Sequence, residues 1–339
     1  MAISNAILSS TLRILLDEEV DNLFRATPLL SQMKKKGQID LFDGGQRLDV
    51  PLILADHSSI TQLATGYEAI NLAVADSLRN ASYEWCDFVA PIVITHKEET
   101  SNKGERAIVS IAEARMKSVM GMLQREFETQ VIAGTSAVLT ELNTLQGATL
   151  PTGFLEENAF GTQTNVIGGI SKAAFPNNYQ NQTVNSAAAF STGAATGITD
   201  LTNLYIQCQN MTPNAGAPDL ILSSAAMYAG YKSLLFANER FIGEDTLDGG
   251  RLALAFHGAQ MYVDPFLPAG GAAPGPTQVS GYALNTDYMR LAMDTDANFK
   301  MDDFESISGY CARSAKIYVR VQLYAQHLAS QGIIVNAET

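Results

Sequence analysis

The sequence predicts an α+β fold in which one long amphipathic helix and a compact α/β segment are set among extended strands. Three observations carry this. Helical periodicity runs unbroken over residues 104–133. Period-two alternation occurs in two distant places, within 47–96 and within 316–336. Between them, from Thr199 onward, helix and strand signals alternate.

Residues 1–47 read as an arm. A short amphipathic stretch (Ile14, Leu15, Leu16, Val20, Leu23, Phe24) is followed by Lys34-Lys35-Lys36-Gly37 and Asp43-Gly44-Gly45, with too little apolar surface to fold alone. In the next segment Leu48 and Val50 alternate with Asp49, and Phe88, Ala90, Ile92 and Ile94 recur at period two. The polar stretch 56–80 separates these two strand candidates, which predicts a long two-stranded excursion exposed at its tip.

The helix over 104–133 is marked by Val109, Ala112, Met116, Met120, Leu123, Phe127 and Val131 at steps of three and four, with Arg106, Glu113, Lys117, Gln124 and Glu128 mostly opposite. At about 1.5 Å per residue it should extend roughly 45 Å. Its methionine and aromatic stripe reads as core packing. Residues 134–198 are rich in Gly, Asn, Thr, Ser and Ala and predict loops with short strands.

A helix is predicted from Thr199, capped by Thr199 or Asp200, with Leu201, Leu204, Tyr205 and Cys208 on one face. After Pro213–Pro218, Leu220-Ile221-Leu222 reads as a buried strand, and Ser223 or Ser224 should cap a second helix carrying Met227, Tyr231 and Leu234. An acidic loop, Phe241–Gly250, precedes strands at Leu252–Phe256 and Gln260–Val263. The Gly/Pro/Ala stretch Pro268–Pro276 is a turn or linker, followed by strands near Tyr282, Arg290–Met293 and Phe299–Met301. In the clearest strand of the chain, Ile317, Val319, Val321, Leu323 and Ala325 face one way and Tyr318, Arg320, Gln322, Tyr324 and Gln326 the other. No unit repeats at a fixed period.

Composition narrows the function classes. Hydrophobic residues make up 46% and charged residues 17% of 339, enough for a sizeable core. A net charge of -13 gives the chain no general footprint for phosphates, so contact with nucleic acid should be incidental or local. The N-terminus lacks the basic flank of a secretion signal, and no run approaches the roughly 18 apolar residues of a membrane span, so a soluble product is expected. Cys86, Cys208 and Cys311 are far apart and suggest neither disulfides nor zinc. The N-x-S/T triplets at Asn80, Asn181 and Asn210 read as chance in a cytoplasmic chain.

The motifs of common enzymes are missing. His57, His96, His257 and His327 are isolated, with no HExxH, and there is no GxSxG, Walker A or GxGxxG in a strand-turn-helix setting. The acid pairs Glu98-Glu99, Glu156-Glu157 and Asp302-Asp303 read as solvated faces rather than acid-base pairs. No catalytic residue, cofactor or metal ligand is assigned.

Three passages carry a resemblance. Gly168-Gly169-Ile170-Ser171-Lys172, leading to Tyr179-Gln180-Asn181-Gln182, resembles a GGI-D-R…W-R-N-Q passage of some capsid proteins, with Lys172 and Tyr179 in place of Arg and Trp. Phe256–Gly270 looks like a G-x-P-V…M-P-A-G strand and turn, and Lys316–Asn336 resembles a long final strand ending in Gly332-Ile333-Ile334-Val335. In this order, and over nearly the whole chain, they resemble the Hong Kong 97 fold of tailed-bacteriophage major capsid proteins.

The resemblance implies an N-terminal arm (1–47), an E-loop hairpin (48–95), a peripheral domain (96–195) holding the spine helix 104–133, an axial domain (196–285), and return strands with the C-terminal strand (286–339). It implies a homo-oligomer of pentamers and hexamers that encloses double-stranded DNA without sequence-specific binding. The shell would be built in the host bacterial cytoplasm and found in the virion, with a portal, a separate scaffold protein and possible decoration or cement proteins as partners. A built-in scaffolding extension is not expected. Inter-subunit contacts fall on Leu48, Val50, Tyr83 and Trp85 of the hairpin and on Glu244, Asp245 and Asp248 at a capsomer axis. Some relatives seal their shells by joining an E-loop lysine to a neighbour's asparagine; residues 37–96 contain no lysine, only Arg47 and Arg79, so no such seal is expected. Two other readings stand beside this one. An encapsulin-like compartment would carry a cargo protein, and a soluble binding protein or hydrolase would elute as a monomer.

Overall fold

The computed structural model describes residues 27–55, 77–101, 105–133, 153–186, 194–212, 216–237, 252–267 and 279–335, with residues 12, 15, 16, 19, 20, 62, 64, 66, 69, 145, 245 and 246. Two sheets organise them. In the six-stranded sheet, β16 (Ala312–Ala325) is central: it pairs with β4 (Cys86–Thr95) on one side and with β13 (Met289–Asp294), β14 (Lys300–Met301) and β15 (Glu305–Ser306) on the other. β1 (Ile39–Phe42) adds to β13 in parallel. Along β16, Ala315, Ile317, Val319, Val321 and Leu323 are buried, as the alternation predicts.

The long helix α3 (Glu105–Ala133) lies along β4 on this buried side, with Phe127 edge-on to Phe88 at 5.7 Å. Ala112, Met116, Met120, Leu123, Phe127 and Val131 are buried, which makes the stripe core, each large side chain contributing about 1.5–3 kcal/mol relative to exposure. Just before it, at the start of α2 (His96–Ser101), Glu98 accepts from the Thr95 backbone N–H at 3.0 Å and from its hydroxyl at 2.8 Å, and pairs with Arg115. These bonds, to the Thr95 backbone first, lower the Glu98 carboxyl's pKa.

The second sheet has seven strands in the order β7 (Gln182–Asn185), β17 (Gly332–Val335), β12 (Val279–Leu284), β8 (Leu220–Ser223), β11 (Ala259–Val263), β10 (Leu252–Phe256), β9 (Asp245–Thr246). Its alternate residues divide between two cores. Leu220, Leu222, Tyr262, Tyr282, Leu284 and Ile333 face the core shared with the first sheet. Ile221, Met261, Ala283 and Ile334 face a separate cluster under α5 (Ala194–Met211) and α6 (Ala225–Ala237), with Leu201, Leu204, Cys208, Met227 and Tyr231. Burial on both faces is why Leu220–Leu222 reads as an unbroken apolar run. No described helix is long and apolar enough to cross a membrane.

Several expectations change. α5 begins at Ala194, before Thr199 and Asp200, because Ala194-Ala195-Thr196-Gly197 adds a helical turn without large apolar side chains. Asp200 accepts from the Ser186 hydroxyl at 2.8 Å instead of capping. Of the two candidates for the next cap, Ser224 serves, its Oγ accepting from Met227 N at 3.2 Å. The stretch 48–95 divides: β2 (Arg47–Ile53) pairs with β3 (Leu78–Glu84), while the period-two run 86–95 leaves the hairpin to become β4 of the first sheet. Sheet membership also crosses the expected segments, since β7 and β17 both belong to the seven-stranded sheet.

Candidate assembly surfaces

The β2–β3 hairpin has two unlike faces. Leu48, Val50, Leu52, Ala81 and Tyr83 are buried in the subunit's own core, with Trp85 just beyond them. Leu48, Val50, Tyr83 and Trp85, expected as inter-subunit contacts, are thus covered within one chain. The opposite face begins at an Arg47–Glu84 ion pair of 3.0 Å and ends at Ile53 and Leu78, directly paired across the strands and 69% and 62% exposed. Apolar side chains so placed are a candidate contact surface.

Trp85 is positioned by charge as well as packing. The Arg320 guanidinium sits 5.7 Å from its ring centroid while reaching Asp87 at 3.2 Å and Asp294 at 3.4 Å. Gln322 donates to the Glu84 carbonyl at 2.5 Å, joining the hairpin's base to the central strand. The four hairpin residues expected at a subunit interface, Leu48, Val50, Tyr83 and Trp85, thus shape the hairpin from beneath. Of the three expected acids, Glu244 and Asp248 lie outside the described residues, and Asp245 is placed by its backbone in β9, opposite Ala253 of β10.

Beneath the hairpin lies the turn between β5 (Val166–Ile167) and β6 (Ile170–Ser171), both of whose glycines have positive φ. Gly168 touches the hairpin, and its carbonyl accepts from Ser82 N at 3.0 Å. Below the turn is a buried polar network. Lys172, fully buried, donates to the Phe154 carbonyl at 2.8 Å, Asn181 Oδ1 at 2.8 Å and Gln163 Oε1 at 3.2 Å. Glu156, 1% exposed, accepts from Thr164 N and Asn165 N at 3.1 Å and from Asn158 Nδ2 at 2.7 Å. Gln180 accepts from Gly161 N and donates to the Gln163 and Lys172 carbonyls, and the Tyr179 hydroxyl donates to the Ile167 carbonyl at 2.9 Å.

Burial lowers the Lys172 pKa to about 7, opposed by the nearby Glu156 carboxylate. Burial also raises Tyr179 to about 12. Glu156 overturns the reading of Glu156-Glu157 as a solvated pair, and Asn181, read as a chance triplet, is a fully buried hub. The resemblance marked Lys172 and Tyr179-Gln180-Asn181 without a role. The compositional signal was a set of Gln, Asn and Lys interleaved with apolar residues.

The arm is tied to its own subunit. In α1 (Pro28–Lys35), Leu29, Leu30 and Met33 are buried, and the described residues Leu12 and Leu16 join the same core. Asp219, at the start of β8, accepts from Gln32 Nε2 at 3.1 Å, Thr286 N at 2.7 Å and the Thr286 hydroxyl at 2.7 Å, with Lys36 Nζ 3.3 Å away. Asp40 of β1 takes both Arg290 contacts (3.0 and 3.1 Å) and the Tyr324 hydroxyl at 2.5 Å. A small opening of about 10 Å³ between arm, α3 and the end of β11 is lined by Thr27, Leu29, Leu30, Glu128, Val131, Ile132 and Asp264; it has room for roughly one water. His327, half-buried over Tyr288 at 5.6 Å, has its pKa lowered by burial to about 4.

No protein-family model matches the sequence, and no curated protein does. Solved structures do match by shape. The capsid of an empty GTA particle aligns with a TM-score of 0.58 at 13% identity, covering 89% of this chain and 95% of that one. The cyanophage A-1(L) capsid aligns at 0.58 and 15% identity, covering 91% of each chain. The holo-SrpI encapsulin complex from Synechococcus elongatus PCC 7942 aligns at 0.54 and 10% identity, covering 92% and 88%. Matched nearly end to end by these shells, the chain has the Hong Kong 97-like capsid fold.

Proposed function

We propose that this chain is a structural shell subunit, the major capsid protein of a tailed phage, which assembles with its own copies into pentamers and hexamers around double-stranded DNA. The observation that carries the reading is the near-complete alignment with assembled particles, joined to a hairpin that ends in an exposed Ile53–Leu78 pair. A subunit that fills its own core yet presents such a pair gains by burying it on a neighbour. The inter-subunit role assigned to the hairpin then falls on Pro51, Ile53 and Leu78, with Leu48, Val50, Tyr83 and Trp85 holding them in position. Glu244, Asp245 and Asp248 would converge at a capsomer axis, where cations relieve their repulsion. A scaffold protein, a portal and decoration proteins are the expected partners, the host cytoplasm the place of assembly, and the virion the destination.

Expression of the chain with negative-stain microscopy and sizing tests this. Closed particles are expected, alone or with a scaffold protein, and a folded chain that remains monomeric under both conditions overturns the reading. The encapsulin match supports a second reading, a protein-loaded compartment. Particles purified from the native source separate the two: DNA within supports the capsid, and a stoichiometric cargo protein without DNA supports the compartment.

A further inference from the structure

Gly168 stands where the hairpin meets the body of the subunit. A Cβ there would lie 2.8 Å from Ala81 Cβ and 3.1 Å from the Tyr83 ring. Its neighbour Gly169 shares the left-handed backbone, φ +79 against +56, but a Cβ added there would meet nothing within 4 Å. The turn is fixed below, through the Tyr179 hydroxyl on Ile167 and the Lys172 N–H on Asn165, and fixed above, through the Gly168 carbonyl on Ser82 N. The hairpin therefore rests on a support that cannot yield downward.

Geometry amplifies any change at this support. Leu78 is three residues along β3 from Ala81, roughly 10 Å at about 3.3 Å per residue, so a tilt at the Gly168 contact is magnified where Ile53 and Leu78 are presented. We infer that the Gly168–Ala81 contact is a positioning device that sets the direction in which the hairpin offers Ile53 and Leu78 to a neighbouring copy, and through it the geometry of the shell. This rests on the assembly reading above. A methyl inserted at the contact must push the hairpin away or force side chains off their rotamers, whereas a methyl at Gly169 adds only backbone strain.

The experiment compares wild type, Gly168→Ala, Gly169→Ala and Ala81→Gly/Gly168→Ala for cooperative melting of the subunit and for particle yield and diameter. Gly169→Ala should assemble as wild type. Gly168→Ala should melt cooperatively but lose normal particles or change their diameter, and the double variant, which removes the 2.8 Å clash and leaves only the 3.1 Å approach to the Tyr83 ring, should recover them at least in part. The inference is overturned if Gly168→Ala assembles normally, if Gly169→Ala fails equally, or if the double variant folds without recovering. Wild type that never assembles removes the assembly reading and this inference with it, whereas wild-type shells with an indifferent Gly168→Ala remove this inference alone. Should Gly168→Ala be too unstable to purify, Ala81→Gly decides: it opens the contact without a clash and should broaden the range of particle diameters, and an unchanged range overturns the inference.

Discussion

The interior under the hairpin and the interior under α5 and α6 are built on opposite principles. The first is held by Lys172, Glu156, Gln163, Gln180 and Asn181, whose hydrogen bonds fix residues 153–183 with little regular secondary structure. The second is Leu201, Leu204, Cys208, Met227, Tyr231, Phe256 and Met261 between two helices and a sheet. Apolar packing is non-directional and tolerates small shifts, whereas a buried hydrogen-bond network has one satisfactory geometry. The subunit places the unforgiving kind directly beneath the element that reaches outward.

The largest test of that contrast is Lys172→Met. It should lower the unfolding free energy of the dissociated chain by about 3–5 kcal/mol, since the Phe154 carbonyl, Asn181 Oδ1 and Gln163 Oε1 all lose a buried donor, at about 1–3 kcal/mol for each group left unsatisfied. Urea unfolding measures this, and a loss below about 1 kcal/mol would show that the remaining amide donors satisfy these oxygens. In the apolar cluster, Leu204→Ala should cost about 3 kcal/mol through lost burial and the cavity left behind. Its effect should add to that of Lys172→Met, and strong coupling in the double variant would mean that the two interiors are not independent.

The smallest expected effect is of pH. Folding lowers the Lys172 pKa from 10.5 to about 7, so the folded chain binds fewer protons than the unfolded chain between those values. Stability contributed by this group therefore rises with pH above about 7 and is least below it. The hydrogen bonds that Nζ donates favour the ammonium and moderate the rise, leaving about 1–2 kcal/mol between pH 7 and 9. Melting curves of wild type and Lys172→Met across this range should diverge upward for wild type, and parallel curves would place the titration elsewhere.

The same contrast explains what could be read in the sequence. α3 and β16 are legible because one solid face repeats at 3.6 or 2 residues; the expected stripes are buried where described, but Glu128, Gln322 and Tyr324, expected on the opposite faces, are buried as well. The polar interior has no period: Lys172, Asn181 and Glu156 are brought together across a loop, and each alone looks like a surface residue. The alternation predicts 86–95 as the second strand of the hairpin, whereas Leu78–Glu84 takes that place: it is polar at its start, and the stronger alternation of 86–95 competes with it. Its contact role was placed on the larger buried residues, since sequence shows which side chains are apolar but not which face of a ribbon already has a partner.

The place of β16 at the centre of one sheet, and of β17 between β7 and β12 in the other, bears on how the chain is made. Asp40 finds Arg290 250 residues later, β4 waits for β16, and β7 waits for β17. During synthesis, therefore, neither sheet can be completed until β16 and β17 have left the ribosome, and long-range pairing of this kind is slow. On the shell reading proposed above, a chain lacking these strands has no supported hairpin base and so no rigid body with which to enter a lattice. Emergence of β16 and β17 is then the condition for completing both sheets, imposed by topology alone.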